Sequence, residues 1–203
     1  MIKNVLRYSL VFIIIFISTS CIQKLKEAAE NISGSSKQPE SISASNFSTV
    51  TVSEQYELSV PKYMKNMPNL HDEASLEYAN IFKETYTVVI EENKQNFIDT
   101  FKEFDEYNDE LSPIENYKII QKQMFREAIE DVKIEDYGLT SINSLPARQF
   151  KMSGIVDGLD FFYLIGFVSG KENIYMIMNW TLGDRRMKYE NTFEYINSSF
   201  NEL

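Results

Sequence analysis

The one cysteine of the chain, Cys21, stands where its sulfur has a particular chemistry open to it. Lys3 and Arg7 form a basic head, residues 10–17 (LVFIIIFI) are wholly apolar, and Ser18, Thr19 and Ser20 make a small-residue approach to the thiol. The apolar run is too short to span a bilayer comfortably, and the basic head stays on the cytoplasmic side during export. This is the pattern of a bacterial lipoprotein signal, with Ser18 where leucine is usual. It predicts residues 1–20 as a removable address and Cys21 as the site of acylation; an ordinary secretory signal cleaved nearby is the alternative. Two or more acyl chains anchor stably where one is marginal. An acylated Cys21 leaves no thiol for a disulfide, a nucleophile or a metal.

The remaining chemistry-bearing residues are weaker signals. His71 is the only histidine and lies beside Asp72, but no G-x-S-x-G nucleophile elbow accompanies it, so it reads as a loop histidine. Zinc of the Cys/His type lacks ligands, and no P-loop or Rossmann glycine pattern occurs. Carboxylates are abundant, in the neighbouring pairs Glu91 and Glu92, Asp105 and Glu106, Asp109 and Glu110, Glu130 and Asp131, and Glu135 and Asp136. Neighbours diverge on a helix and point to opposite faces of a strand, so adjacency builds no acid/base pair and solvated surface is expected. Asp157, Gly158 and Asp160 could offer oxygens to calcium but sit where a hairpin needs a turn. No cofactor and no metal are expected.

One locus stands above this background. Trp180, the sole tryptophan, precedes Gly183, Asp184, Arg185 and Arg186 at a strand-to-helix junction. Trp and Arg are favoured interface anchors, so Trp180, Arg185 and Arg186 are candidate partner-binding residues. The alternative places Trp180 in the core and makes Asp184 a helix cap flanked by solvated arginines.

The chain has 20 Lys and Arg against 30 Asp and Glu, and the export signal carries two of the bases and none of the acids. So acidic a balance argues against nucleic acid and against a broad electrostatic grip on anionic membranes. Membrane contact is expected through the N-terminal lipid.

The elements that must position these residues can be read from periodicity. Ile22, Leu25, Ala28, Ala29 and Ile32 lie at helical spacing, giving a short amphipathic helix or a frayed tether. Residues 33–48 are Ser-rich without apolar period and read as the rest of a 21–48 linker. Strands are predicted over 49–52, 55–60, 76–81 and 85–91, with Tyr86, Val88 and Ile90 on one face. Helices are predicted over 93–107 and 112–132, the second opened by Ser112 as cap, Pro113 in the first turn and Glu115 completing a capping box. Strands over 134–142, 146–156, 159–168 and 173–182 follow, then a helix over 184–200 whose Tyr189, Phe193, Ile196 and Phe200 can pack on a sheet.

Several of these stretches together resemble one family. Residues 56–61 (YELSVP), the paired strands of 76–91, residues 144–154 (SLPARQFKMSG), the hairpin of 161–181 and the ending INSSF at 196–200 are similar to a PsbP-like domain. The resemblance implies an α/β/α sandwich, of α+β type, around a central antiparallel sheet over residues 49–203. It also implies a non-catalytic domain that docks on other proteins, and bacterial relatives are often anchored lipoproteins of unassigned role. The expected function is therefore a lipid-anchored cell-envelope protein whose domain binds an envelope protein partner. A carboxylate-based hydrolase of envelope polymers and a binder of a small apolar ligand are the alternatives; two carboxyls facing across a cleft would favour the first, a closed apolar cavity the second.

Overall fold

Two consecutive segments, LDFFYLIGFVS and NIYMIMNWTL, are apolar at nearly every position instead of alternating, which requires a sheet covered on both faces. The computed structural model describes residues 38–203 and has that form. Cys21, the 1–20 signal and the amphipathic stretch of 22–32 lie outside the described residues.

The strands are β1 (Phe47–Val52), β2 (Tyr56–Pro61), β3 (Lys65–Asn66), β4 (Ala74–Asn80), β5 (Thr85–Asn93), β6 (Glu130–Tyr137), β7 (Ser141–Ile142), β8 (Leu145–Val156), β9 (Leu159–Ser169), β10 (Asn173–Leu182) and β11 (Asn201–Glu202). The helices are α1 (Lys94–Glu103), α2 (Pro113–Ala128) and α3 (Arg186–Ser198). The central sheet is antiparallel throughout, in the order β3, β4, β5, β10, β9, β8, β6, with β7 paired to β8. Between β8 and β9, Asp157 and Gly158 both take left-handed backbone, φ 50° and 77°, which makes this a tight hairpin turn.

Each face of the sheet carries its own core. Tyr86, Val88 and Ile90 do share one face, where α1 and α2 lay Phe97, Phe101, Tyr117 and Phe125 over the sheet. Ring centroids run 5.0 Å from Phe97 to Tyr117 and 5.7 Å from Tyr117 to Phe167. On the other face Tyr189, Phe193, Ile196 and Phe200 are fully buried against Val89, Ile177 and Leu164. A fully buried side chain of this kind contributes about 1.5–3 kcal/mol.

The second face also holds a buried polar chain. Thr87 Oγ1 donates to Asn179 Oδ1 (2.8 Å), Asn179 Nδ2 to Asn197 Oδ1 (2.7 Å), and Asn197 Nδ2 to Gln149 Oε1 (2.7 Å). It crosses four strands and ties α3 to them. Gly166 in β9 makes room for it, because a Cβ there would lie 2.8 Å from Asn197 Nδ2.

Four expectations are revised. First, β1 and β2 do not join the central sheet; with β11 they form a three-stranded sheet beside α3. Second, α2 ends at Ala128 and not at 132, because Ile129 turns extended and β6 begins at Glu130. Gly154 of β8 permits this close entry, since a Cβ there would meet Ile129 Cγ2 at 2.4 Å. Third, no capping box forms: Ser112 caps through its backbone carbonyl, and Glu115 turns to Lys118 and Arg148 at 2.5 Å each. Fourth, residues 38–48 are not free linker. The Glu40 N–H donates to Lys188 O (3.0 Å), and its carboxylate accepts from Tyr63 (2.9 Å) and Thr192 (3.1 Å).

Candidate functional site

The arginine locus folds inward. Trp180, 4% exposed, stacks on Tyr86 with centroids 5.0 Å apart and planes 11° from parallel. Tyr163 lies on the same stack at 6.4 Å. Arg185 is 6% exposed and pairs with Glu84 at 2.7 Å, while its Nη1 donates to Lys83 O at 3.1 Å. Neither residue is presented to a partner, which corrects the expectation that both are surface anchors. The apolar strand period claims Trp180, and a buried carboxylate claims Arg185. Arg186 alone stays partly exposed, donating to Glu190 Oε2 at 2.7 Å with its guanidinium 4.7 Å from the Phe162 ring centroid.

What Arg185 holds is the β4–β5 turn, residues 81–84. Glu84 sits there with left-handed backbone, φ 51°, a conformation costly for a residue with a long side chain. Burial pushes the Glu84 carboxyl above the usual carboxylate range, Arg185 opposes that, and Asp184 adds to it. Asn80 Oδ1 accepts from the N–H groups of Phe82 and Lys83 at 3.1 and 2.9 Å, closing the turn from the other side. Lys83 reaches Glu40 at 3.4 Å and lies over Tyr63, 4.7 Å from its centroid. On this fixed frame Phe82 is 71% exposed and Ile81 41%, with Met187 at the start of α3 63% exposed. The tip is thus rigid in backbone and apolar in surface, and the described chain enters beside it at Glu40.

A second locus lies across the molecule, where α1 and α2 meet the ends of β5 and β10. A cleft of about 180 Å³ opens there, with apolar walls from Ile90, Phe101, Met124 and Met176. Glu73, Glu92, Tyr117 and Gln121 line it as well. Burial, then the nearby Glu92, pushes the Tyr117 hydroxyl well above its usual range. Burial, then the nearby Glu73, pushes the Glu92 carboxyl up to about 7. The sequence reading took Glu92 as solvated surface. Its signal was present, since Glu92 continues the alternation of Tyr86, Val88 and Ile90 onto the core face.

No protein-family model matches the chain, and no curated protein does. Solved structures do. Cyanobacterial PsbP (CyanoP) of Synechocystis sp. PCC 6803 is similar with a TM-score of 0.53, over 84% of this chain and 99% of that one, at 12% identity. The fold is PsbP-like. Two further structures are similar at a TM-score of 0.47. One is a Pseudomonas aeruginosa protein of unknown function, 12% identical over 76% of this chain and 95% of its own. The other is LpqN, involved in cell envelope biogenesis of Mycobacterium tuberculosis, 13% identical over 73% and 83%.

Within the PsbP-like domain the other candidates have structural roles. His71 is buried in the loop before β4, its Nδ1 accepting from the Glu73 N–H at 3.2 Å. Glu77 Oε1 accepts from the N–H groups of Leu70 and His71 at 2.7 and 2.8 Å, so that loop is held by a carboxylate. Asp157 and Gly158 supply the hairpin turn. Among the described residues no group of three or more His, Cys, Asp or Glu side chains is placed to hold a metal ion. No described helix is long and apolar enough to cross a membrane.

Proposed function

We infer that this protein is tethered to the bacterial cell envelope through lipid on Cys21 and that its PsbP-like domain is a non-catalytic docking module for an envelope protein partner. The observation that carries this reading is the tip: Phe82 and Ile81 exposed on a turn whose backbone is held by a buried ion pair, with Met187 exposed at the start of α3. Exposed apolar side chains cost little singly, but a rigid group of them at one end is the composition of an interface core. The nearby bases are already paired, Lys83 with Glu40 at 3.4 Å and Arg186 with Glu190 at 2.7 Å. The partner surface is accordingly apolar. The first described residues pass the tip, with Glu40 paired to Lys83 at 3.4 Å.

The hydrolase reading has one observation on its side, the shared cleft of Glu73 and Glu92. The cleft's dimensions oppose it. At about 180 Å³ it is smaller than the roughly 300–1,000 Å³ of sites that enclose drug-sized ligands, and its apolar walls suit a short side chain better than a hydrated polymer. Docking is tested by crosslinking capture from the native envelope with wild type and Phe82→Asp at matched level. Loss of specific partners in the variant, with unchanged thermal unfolding, is expected; recovery of the same partners would remove the tip as the docking surface.

A further inference from the structure

The cleft beside α1 and α2 carries more acceptors than the fold uses. Gln121 is 7% exposed, and its Oε1 is buried in the cleft with no hydrogen-bond partner. Tyr117 and Glu92 line the same cleft beside it. Gln121 Oε1 is therefore a bare acceptor in the cleft wall. Glu92 and the exposed Glu73 add two carboxyl groups in the same space. Buried acceptors are ordinarily paired, so an unpaired one beside two carboxyls points to a donor-rich, positively charged guest.

We propose that this cleft binds a primary ammonium group on a short alkyl chain. An ammonium presents three N–H donors and no acceptor, which matches one amide oxygen and two carboxylates. Its stem then lies along Ile90, Phe101, Met124 and Met176. The room available, about 180 Å³, suits an unbranched stem of lysine length. A guanidinium is a planar fork made for two parallel oxygens of one carboxylate, and a divalent cation wants oxygens all round; neither uses the apolar walls. Binding is linked to pH through Glu92. The groups acting on it are Glu73 from the loop before β4 and Tyr117 from α2, and an arriving cation favours the ionised carboxylate that burial and Glu73 disfavour.

The test uses the full chain in detergent with ¹³C-methyl methionine, since Met124 and Met176 line the cleft and report on it directly. Probes are n-butylamine, Nα-acetyl-lysine amide and, as uncharged control, n-butanol. Saturable shifts of the Met124 and Met176 methyl signals with an amine at pH 8.5 are expected, weakened at least tenfold at pH 5.5 and at least tenfold by Glu92→Gln. Gln121→Leu, which removes the amide while keeping the bulk, should also weaken binding severalfold. Binding of the lysine derivative identifies a protein side chain as the occupant, and binding of butylamine alone identifies a small free amine; either supports the proposal. It is overturned if neither amine gives saturable shifts, if butanol matches butylamine, or if Glu92→Gln binds as wild type with its methionine spectrum otherwise unchanged.

Discussion

Removing the Arg185 guanidinium would leave Glu84 buried, charged and alone on a strained turn. Breaking a buried pair by taking one partner costs about 3–5 kcal/mol, whereas replacing both partners with apolar residues of similar volume is often near neutral. Arg185→Ala is therefore expected to lower stability in urea unfolding by about that amount, and the double variant Arg185→Met with Glu84→Leu to recover much of it. A loss under about 1 kcal/mol for the single change would show the pair to be dispensable. Glu92 makes a second residue-scale prediction. Its folded carboxyl holds a proton to about 7, against a usual value near 4.5. Between those values the folded state binds more protons than the unfolded one, so stability is full at low pH and falls as pH rises through the folded value. Glu92→Gln should be close to neutral at pH 4 and stabilising by about 1–3 kcal/mol at pH 8; a difference independent of pH would contradict the burial of this group. The junction of Trp180, Arg185 and Arg186 was legible in sequence as unusual, but residue type could not tell a clamp from a contact surface. Glu84, the partner that decides it, lies a hundred residues away.

At the scale of elements, alternation and helical spacing located the β5, β8, β9 and β10 strands and the three helices of the described residues, because each apolar stripe has one sheet face to meet. Boundaries failed where a distant residue set them. Nothing in residues 112–132 shows that Gly154 lets Ile129 come close to β8, and Glu115 looks like a capping residue until Arg148 is brought across from β8. The buried chain of Thr87, Asn179, Asn197 and Gln149 was equally hidden, since each residue looks like an isolated polar interruption of an apolar element. It fixes where α3 lies across four strands. Asn197→Ala leaves the Gln149 oxygen unpaired in the core, while Asn179 Nδ2 keeps its bond to Leu164 O at 3.2 Å, and one such unpaired group costs about 1–3 kcal/mol. A loss of about 1–3 kcal/mol in chemical denaturation is expected, and a loss below about 0.5 kcal/mol would show that α3 is held by its aromatic side alone.

At the scale of the whole molecule, both-face burial of β9 and β10 determines the layered form, and the order of hairpins determines its antiparallel sheet. The second small sheet escaped the sequence reading because β1 and β2 alternate like any half-buried pair and carry no mark of which sheet they join. Residues 38–48 escaped it because a Ser-rich stretch gives no apolar period, while Glu40 is fixed by hydrogen bonds to Lys188, Tyr63 and Thr192. That fixation holds Glu40 against Lys83 of the same turn as Phe82, and docking through this tip is the claim on which the proposed function stands. It is tested most directly by a photo-activated crosslinking residue at position 82 of the full chain, irradiated in the native envelope, with the same residue at the exposed Ile119 of α2 as control. Discrete protein adducts from position 82, absent from position 119 and diminished by Cys21→Ala, are expected. Adducts that are indistinguishable at the two positions, or lipid adducts alone at position 82, would contradict it.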